Sequence, residues 1–147
     1  MTYRTILVDL TADEQVEVRL DVARFLALRF EATLVGMHVT PPPFDPAVWQ
    51  EGGWSVHIPP EIVEAQRKAN QEAKERIRAT FDRVGGAEKA VWRDAEGDAD
   101  LLFAKTAHVS DLVVTARASV NTVHFRILMA AAKSIQVVGW GTRGRSL

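Results

Sequence analysis

The feature that most constrains the fold of this sequence is a short, unbroken apolar run at residues 112–114, followed by a turn of small residues. Such a run is typical of a strand buried on both faces of a parallel sheet. In open α/β folds, ligands bind at the turn after a central strand. Here Ala116 and Ser119 stand where a phosphate-binding loop would carry glycine. The segment therefore predicts a ligand-binding fold without its commonest ligand site.

Strand-like and helix-like segments alternate along the chain. Apolar patterning predicts strands at residues 5–10, 32–39, 88–93, 111–115 and 134–138, and helices at 12–30, 61–84, 98–108 and 120–133. Thr11 and Glu14 fit a capping box for the first helix, and Asp98 fits a cap for the third. Because parallel strands need crossover connections, residues 1–147 are expected to form one α/β domain, a doubly wound and mostly parallel five-stranded sheet.

Composition excludes several classes of function. The net charge is −1 and the pI is about 6.4, so the chain has no basic field for nucleic acid or an anionic membrane surface. The absence of cysteine excludes disulfides and thiol chemistry. No apolar run approaches the roughly 18 residues that span a bilayer. We expect a cytoplasmic protein with no signal peptide, no membrane segment and no nucleic-acid partner.

Two segments fall outside the alternation. Residues 41–60 form a long connection rich in proline and aromatic residues, including Trp49 and Trp54. Exposed aromatic rings are costly, so this loop either folds back over the end of the sheet or acts as a lid or partner-binding arm. The glycine pattern at 139–144 is followed by no helix within the sequence, so residues 139–147 are expected to form a flexible tail rather than a dinucleotide site.

No constellation for catalysis or metal binding is evident. The four histidines, His38, His57, His108 and His124, lack metal-ligand spacing, and no nucleophile elbow is present. We therefore expect a protein that is not an enzyme and has no metal site. His38 lies near the carboxyl end of the second strand, where it is either a partly buried structural histidine or a ligand contact.

Arg117 is the charge of most interest. It lies in the turn after the fourth strand, and Ser119 and Asn121 follow it at positions that can cap the last helix. An arginine beside a helix N-terminus can bind a small anionic ligand together with backbone amides. The alternative is a surface turn with an ordinary helix cap.

Several segments occur together in a recognisable order. The first strand ends near Asp9, and it is followed by a helix at 20–27, a strand at 32–39, Ala-Glu-Gly-Asp at 95–98 and Asp-Leu-Val-Val-Thr-Ala at 111–116. In this arrangement the chain resembles the universal stress protein family. The resemblance implies an adenine-nucleotide alpha-hydrolase-like fold with strand order 3-2-1-4-5. It also implies an ATP or other nucleotide pocket in some members, and homodimers that often pair through the last strand.

The nucleotide signature of that family is not carried over. Nucleotide-binding members have an aspartate five residues beyond the isoleucine that opens the first Ile-Leu-Val run; counted from Ile6, that position is Thr11, while Asp9 lies two positions earlier. The three signature glycines and the terminal hydroxyl residue are replaced here by Ala116, Ser119, Met129 and Ala130. The chain therefore resembles the branch of the family without ATP binding, with a degenerate nucleotide site and no cofactor.

The resemblance implies a non-catalytic stress-response protein that acts by binding a small ligand or a partner and by forming homodimers. The dimer would pair through the part of the last strand from Ile135 to Val138. The alternative is a nucleotide-binding member with an atypical phosphate loop. The candidate ligand-binding residues are Asp9, Thr11, His38, Val39, Ala116, Arg117, Ser119 and Asn121.

Overall fold

The computed structural model describes residues 3–43, 58–86, 89–115 and 135–137. Its strands are β1 (Thr5–Asp9), β2 (Thr33–Thr40), β3 (Ala90–Glu96), β4 (Leu112–Thr115) and β5 (Ile135–Val137), and its described helices are α1 (Val16–Phe30), α2 (Pro60–Gly85) and α3 (Ala99–His108). The predicted last helix at 120–133, most of the 41–60 loop and the tail at 139–147 lie outside these residues.

The five strands form one sheet in the order β3-β2-β1-β4-β5, and each neighbouring pair is parallel. Ile6 of β1 pairs with Leu34 on one side and Leu112 on the other, so β1 is the central strand. The predicted α/β class, the parallel sheet and its strand order are therefore confirmed. The topology places the carboxyl ends of β1 and β4 together at the point where the strand order reverses.

The helices divide between the two faces of the sheet, because alternate residues of a strand point to opposite faces. On one face, Ile6 and Val8 pack in a cluster with side chains of α1 and α2, including Leu20 and Phe81. On the other face, Leu7 packs in a smaller cluster with side chains of β2, β4 and α3. Residues of even number in β1 and β2 thus face α1 and α2, and residues of odd number face α3.

The predicted capping box at the start of α1 is wrong. The helix begins at Val16, after an N-cap at Gln15 whose side chain makes no capping hydrogen bond. The Thr11 hydroxyl instead donates to Asp9 Oδ1 at 2.7 Å, and the Gln15 amide donates to Asp13 Oδ1 at 2.9 Å. Thr11 therefore belongs to the turn after β1, because its hydroxyl satisfies a buried carboxylate rather than a helix terminus.

Two further expectations need correction. The third strand was predicted at 88–93, but β3 runs to Glu96 because it pairs residue for residue with β2 as far as Thr40. The apolar patterning that predicts the second helix implies a buried face along it, but α2 is buried only near its end, at Ile77 and Phe81, while Ile62 is 50% exposed. The first half of α2 thus lies largely outside the core. The predicted cap of α3 is confirmed, since Asp98 accepts a hydrogen bond from the Leu101 amide.

Candidate functional site

A buried carboxylate marks the carboxyl end of the central strand. Asp9 is only 7% exposed. Its Oδ1 accepts hydrogen bonds from the Thr11 amide at 3.0 Å and the Thr11 hydroxyl at 2.7 Å. Its Oδ2 accepts one from the Thr115 hydroxyl at 3.2 Å. Because Thr115 is the last residue of β4, the carboxylate ties the turn after β1 to the end of β4, at the switch point of the sheet.

Arg19 holds the same turn from the side of α1. Its side chain is buried, which is rare for arginine without partners. Nε donates to the Asp9 carbonyl at 2.6 Å, and Nη2 donates to the Thr11 carbonyl at 3.1 Å. Nη1 forms an ion pair with Asp13 Oδ2 at 3.0 Å. One guanidinium thus fixes three residues of the turn, and it uses the fork geometry that lysine lacks.

The structure does not bring all the predicted site residues together. Val39 is half-buried on the α3 side of the sheet, the side to which Asp9 points. His38 has the opposite parity and lies on the side of α1 and α2. The other four predicted residues, Ala116, Arg117, Ser119 and Asn121, lie outside the described residues, and their role in ligand binding stays a prediction.

His38 lies within a layered stack rather than beside Asp9. It is buried, and its Nδ1 lies 2.9 Å from the Leu10 carbonyl oxygen. Because a carbonyl oxygen only accepts, Nδ1 carries the proton in this contact. The ring stacks on Trp92, with 6.1 Å between centroids, and the guanidinium of Arg78 lies 5.1 Å from the centroid of the Trp92 ring. These contacts match the structural role considered for His38.

A second concave region lies between α2 and the carboxyl ends of β2 and β3. We call this cavity of about 370 Å³ the α2–β3 pocket. It lies on the α1–α2 side of the sheet, because Lys74 of α2 pairs with Asp94 of β3 at 3.0 Å. Its lining is mostly polar: Thr40, Pro43, Arg67, Asn70, Gln71, Lys74, Asp94, Ala95 and Glu96.

The Lys74–Asp94 pair sets the electrostatics of this pocket. The hydrogen bond from Lys74 holds the pKa of Asp94 below its ordinary value, and the Trp92 indole, which donates to Asp94 Oδ1 at 3.1 Å, acts in the same direction. Asp94 therefore stays ionised and neutralises Lys74. Within the described part of the chain, Arg67 and Glu96 take part in no ion pair.

Several of these residues could not be recognised as site residues from sequence. Arg19 reads as an ordinary helix charge, and only its burial reveals its role. Lys74 and Asp94 are 20 positions apart in sequence and meet only because β3 crosses beside α2. The sequence placed Asp94 just beyond the predicted third strand, so it gave no signal that the carboxylate lies within a strand and needs a partner or solvent.

Among the described side chains, no group of three or more histidine, aspartate or glutamate residues is placed to hold a metal ion. Likewise, none of the described helices is both long and apolar enough to cross a bilayer.

Comparison with known proteins identifies the fold. No protein-family model matches the sequence, and no curated protein matches it. Among solved structures, a universal stress protein from Lactobacillus plantarum is 15% identical, with a TM-score of 0.63 over 96% of this chain and 99% of that one. A member of the universal stress protein family from Burkholderia pseudomallei is 24% identical, with a TM-score of 0.62 over 92% of this chain and 96% of that one.

A third solved structure, a universal stress protein in complex with cAMP, is 18% identical, with a TM-score of 0.54 over 94% of this chain and 98% of that one. At these identities the likeness concerns the fold. The chain therefore has the universal stress protein fold, over nearly the full length of the proteins it is similar to, and the resemblance inferred from its motifs is confirmed at that level.

Proposed function

We propose that this protein is a non-catalytic binding protein of the universal stress protein type. Its crevice at the carboxyl ends of β1 and β4 takes a small ligand other than ATP or another adenine nucleotide, held in part by Arg117, Ser119 and Asn121. The protein acts through this binding and through homodimer formation, without turning over a substrate. No cofactor is required for this activity.

The observation that carries the proposal is the occupancy of the Asp9 carboxylate. Three donors from the protein's own Thr11 and Thr115 already bind its two oxygens, and the side chain is buried. A carboxylate offers about four acceptor positions, so little capacity remains for a ligand hydroxyl or amine. Asp9 serves the fold as a tie between β1 and β4.

The sequence of the adjoining turn supports the same proposal. Glycine lets a backbone approach phosphate groups closely and adopt positive φ. Alanine, serine and methionine stand at the three positions where nucleotide-binding members of the family carry glycine: Ala116, Ser119 and Met129. Side chains at all three positions oppose a triphosphate cradle.

The second candidate function is binding of an adenine nucleotide with an atypical phosphate loop, using Asp9, Val39 and the turn at 117–121. It is favoured by the similarity to a universal stress protein in complex with cAMP. A cyclic monophosphate needs fewer backbone donors than a triphosphate, so loss of the glycines opposes cAMP less strongly than ATP.

Isothermal calorimetry with Mg-ATP and with cAMP distinguishes the two functions. The proposal predicts no saturable heat with either nucleotide up to about 1 mM. Binding of Mg-ATP tighter than about 10 µM, about −7 kcal/mol, that is lost in Arg117→Ala would contradict it. Binding of cAMP alone would establish the second candidate.

A matched pair of variants locates the cause. In the first, glycine replaces Ala116, Ser119 and Met129, and serine replaces Ala130. In the second, Thr115→Val removes the donor to Asp9 Oδ2 and keeps the side-chain shape. Gain of Mg-ATP binding in the first variant assigns the block to the turn, and gain in the second assigns it to Asp9. If neither variant binds Mg-ATP, the block is not assigned to the turn alone or to Asp9 alone.

The homodimer part of the proposal rests on the position of β5. In the described sheet β5 lies at one end and pairs only with β4. An edge strand offers free backbone groups to a second copy. The mass measured by light scattering at micromolar concentration should be that of a dimer, and Val137→Lys should shift it to a monomer. A wild-type monomer would refute this part.

A further inference from the structure

We propose that the α2–β3 pocket is a binding site for a small polar zwitterion, of the class of free α-amino acids with hydrophilic side chains. The site lies on the face of the sheet opposite Asp9, and it does not depend on the function proposed above. Its volume of about 370 Å³ lies within the usual range of ligand pockets.

The charges that line the pocket set the charge of the ligand. Among the described lining residues, Arg67 and Lys74 contribute two positive charges and Asp94 and Glu96 two negative ones, so the described lining is neutral in sum. An anion would face two carboxylates, and a cation would face two basic groups. A ligand that is neutral overall, with one group of each sign, avoids both repulsions.

Arg67 and Glu96, the two charged lining residues outside the Lys74–Asp94 pair, are the groups assigned to the carboxylate and the ammonium of the ligand. Lys74 and Asp94 neutralise one another at 3.0 Å. Among the described ion pairs, neither Arg67 nor Glu96 has a partner, although both line the pocket. The Arg67 guanidinium matches a carboxylate with two parallel hydrogen bonds. Glu96 matches an ammonium group.

The remaining lining determines the rest of the ligand. Asn70 is held in place, because its amide donates to the Pro41 carbonyl at 3.2 Å and accepts from Gln66 at 2.9 Å. Thr40 and Gln71 add a hydroxyl and an amide to the wall. Of the lining residues that the structure describes, only Pro43 and Ala95 are apolar, so a large hydrophobic side chain would gain little from them.

The test uses four probes that differ in charge. L-glutamine and L-serine carry both charged groups, N-acetyl-L-glutamine lacks the ammonium, and L-glutaminamide lacks the carboxylate. Binding is measured by calorimetry and by the NMR signal of the Trp92 indole N–H, which donates to Asp94 and is assigned with Trp92→Phe. L-Glutamine is expected to bind at least about tenfold more tightly than either derivative.

Variants of exposed residues in the pocket wall test which residue binds each charged group of the ligand. Arg67→Gln should weaken L-glutamine about tenfold and abolish its advantage over L-glutaminamide. Glu96→Gln should abolish its advantage over N-acetyl-L-glutamine. Arg76→Gln, an exposed change on the same helix away from the pocket lining, should leave all affinities unchanged.

Three results would overturn the proposal. One is the absence of saturable binding of either zwitterion up to about 10 mM. Another is equal affinity for the parent amino acid and its two derivatives. The third is an effect of Arg67→Gln and Glu96→Gln no larger than that of Arg76→Gln. None of these results bears on adenine nucleotides, so this site and the crevice beside Asp9 fail or survive separately.

Discussion

Replacing the buried Arg19 with methionine should weaken the fold through the turn that follows β1. Arg19→Met keeps a long apolar stem in the space beside α1 and removes every donor of the guanidinium. The Asp9 and Thr11 carbonyls lose donors at 2.6 Å and 3.1 Å, and Asp13 loses its ion pair. The turn then depends on the hydrogen bonds made by the Asp9 carboxylate with Thr11 and Thr115.

The magnitude follows from those contacts. A hydrogen bond to a charged group contributes about 1.5–3 kcal/mol. The net loss of stability is smaller than the sum of three such bonds, because burying methionine does not carry the desolvation penalty of burying a guanidinium. The side chain of Asp13 is 37% exposed and can rehydrate. We expect Arg19→Met to lower the free energy of unfolding by about 2–3 kcal/mol.

Urea denaturation at pH 7 measures the effect, with Arg83→Met as the matched control. Arg83 pairs with Glu17 at 3.1 Å, but the two side chains are 63% and 53% exposed. Such surface pairs contribute about 0–1 kcal/mol. The denaturation midpoint should fall clearly for Arg19→Met and hardly for Arg83→Met, with similar slopes. Equal midpoints for the two variants would refute the role assigned to Arg19.

Two further changes test the packing of α2 on the sheet. Gly36→Ala should destabilise the fold by about 1–3 kcal/mol, because the new methyl group would lie 2.5 Å from Phe81 and 2.7 Å from Leu10. Phe81→Leu in the same chain should relieve part of that strain in urea titrations; strict additivity would contradict the contact. Lys74→Met should raise the pKa of Asp94 towards its ordinary value of 3.8. The carboxyl ¹³C chemical shift of Asp94, measured as a function of pH, reports this pKa. Since this pKa is lowered on folding, the stabilisation is present above the unfolded pKa and is lost as the pH falls through the folded value; an unchanged titration would refute the pairing.

The sheet could be predicted because most of its strands are recognisable from the local amino-acid sequence alone. The run Leu-Val-Val at 112–114 and the apolar segment of β1 carry few polar residues, as buried parallel strands do. The carboxyl end of β3, beyond Arg93, was missed because Asp94 and Glu96 resemble loop residues. They are tolerated there because β3 is an edge of the described sheet and its polar side chains reach solvent or α2.

The site was predictable only in part. Asp9 lies at the end of a segment that reads as a strand in the sequence. It was a candidate site residue because open α/β folds bind ligands at the carboxyl ends of their central strands. Its hydrogen-bond partner Thr115 lies 106 positions away in sequence, and no local sequence pattern predicts such a contact. Thr11 was assigned to a helix cap from its spacing to Glu14, and a competing acceptor, Asp9, overrode that spacing. The α2–β3 pocket likewise combines residues from three separate elements.

Native mass spectrometry of the protein purified from its own cells tests the central claim most directly, namely that the crevice at the carboxyl ends of β1 and β4, beside Asp9 and Thr115, holds no adenine nucleotide. The expected result is a dimer that carries no adenine nucleotide. A dimer or monomer that carries one ATP or cAMP per chain, retained through gentle desolvation and lost in Arg117→Ala, would contradict it.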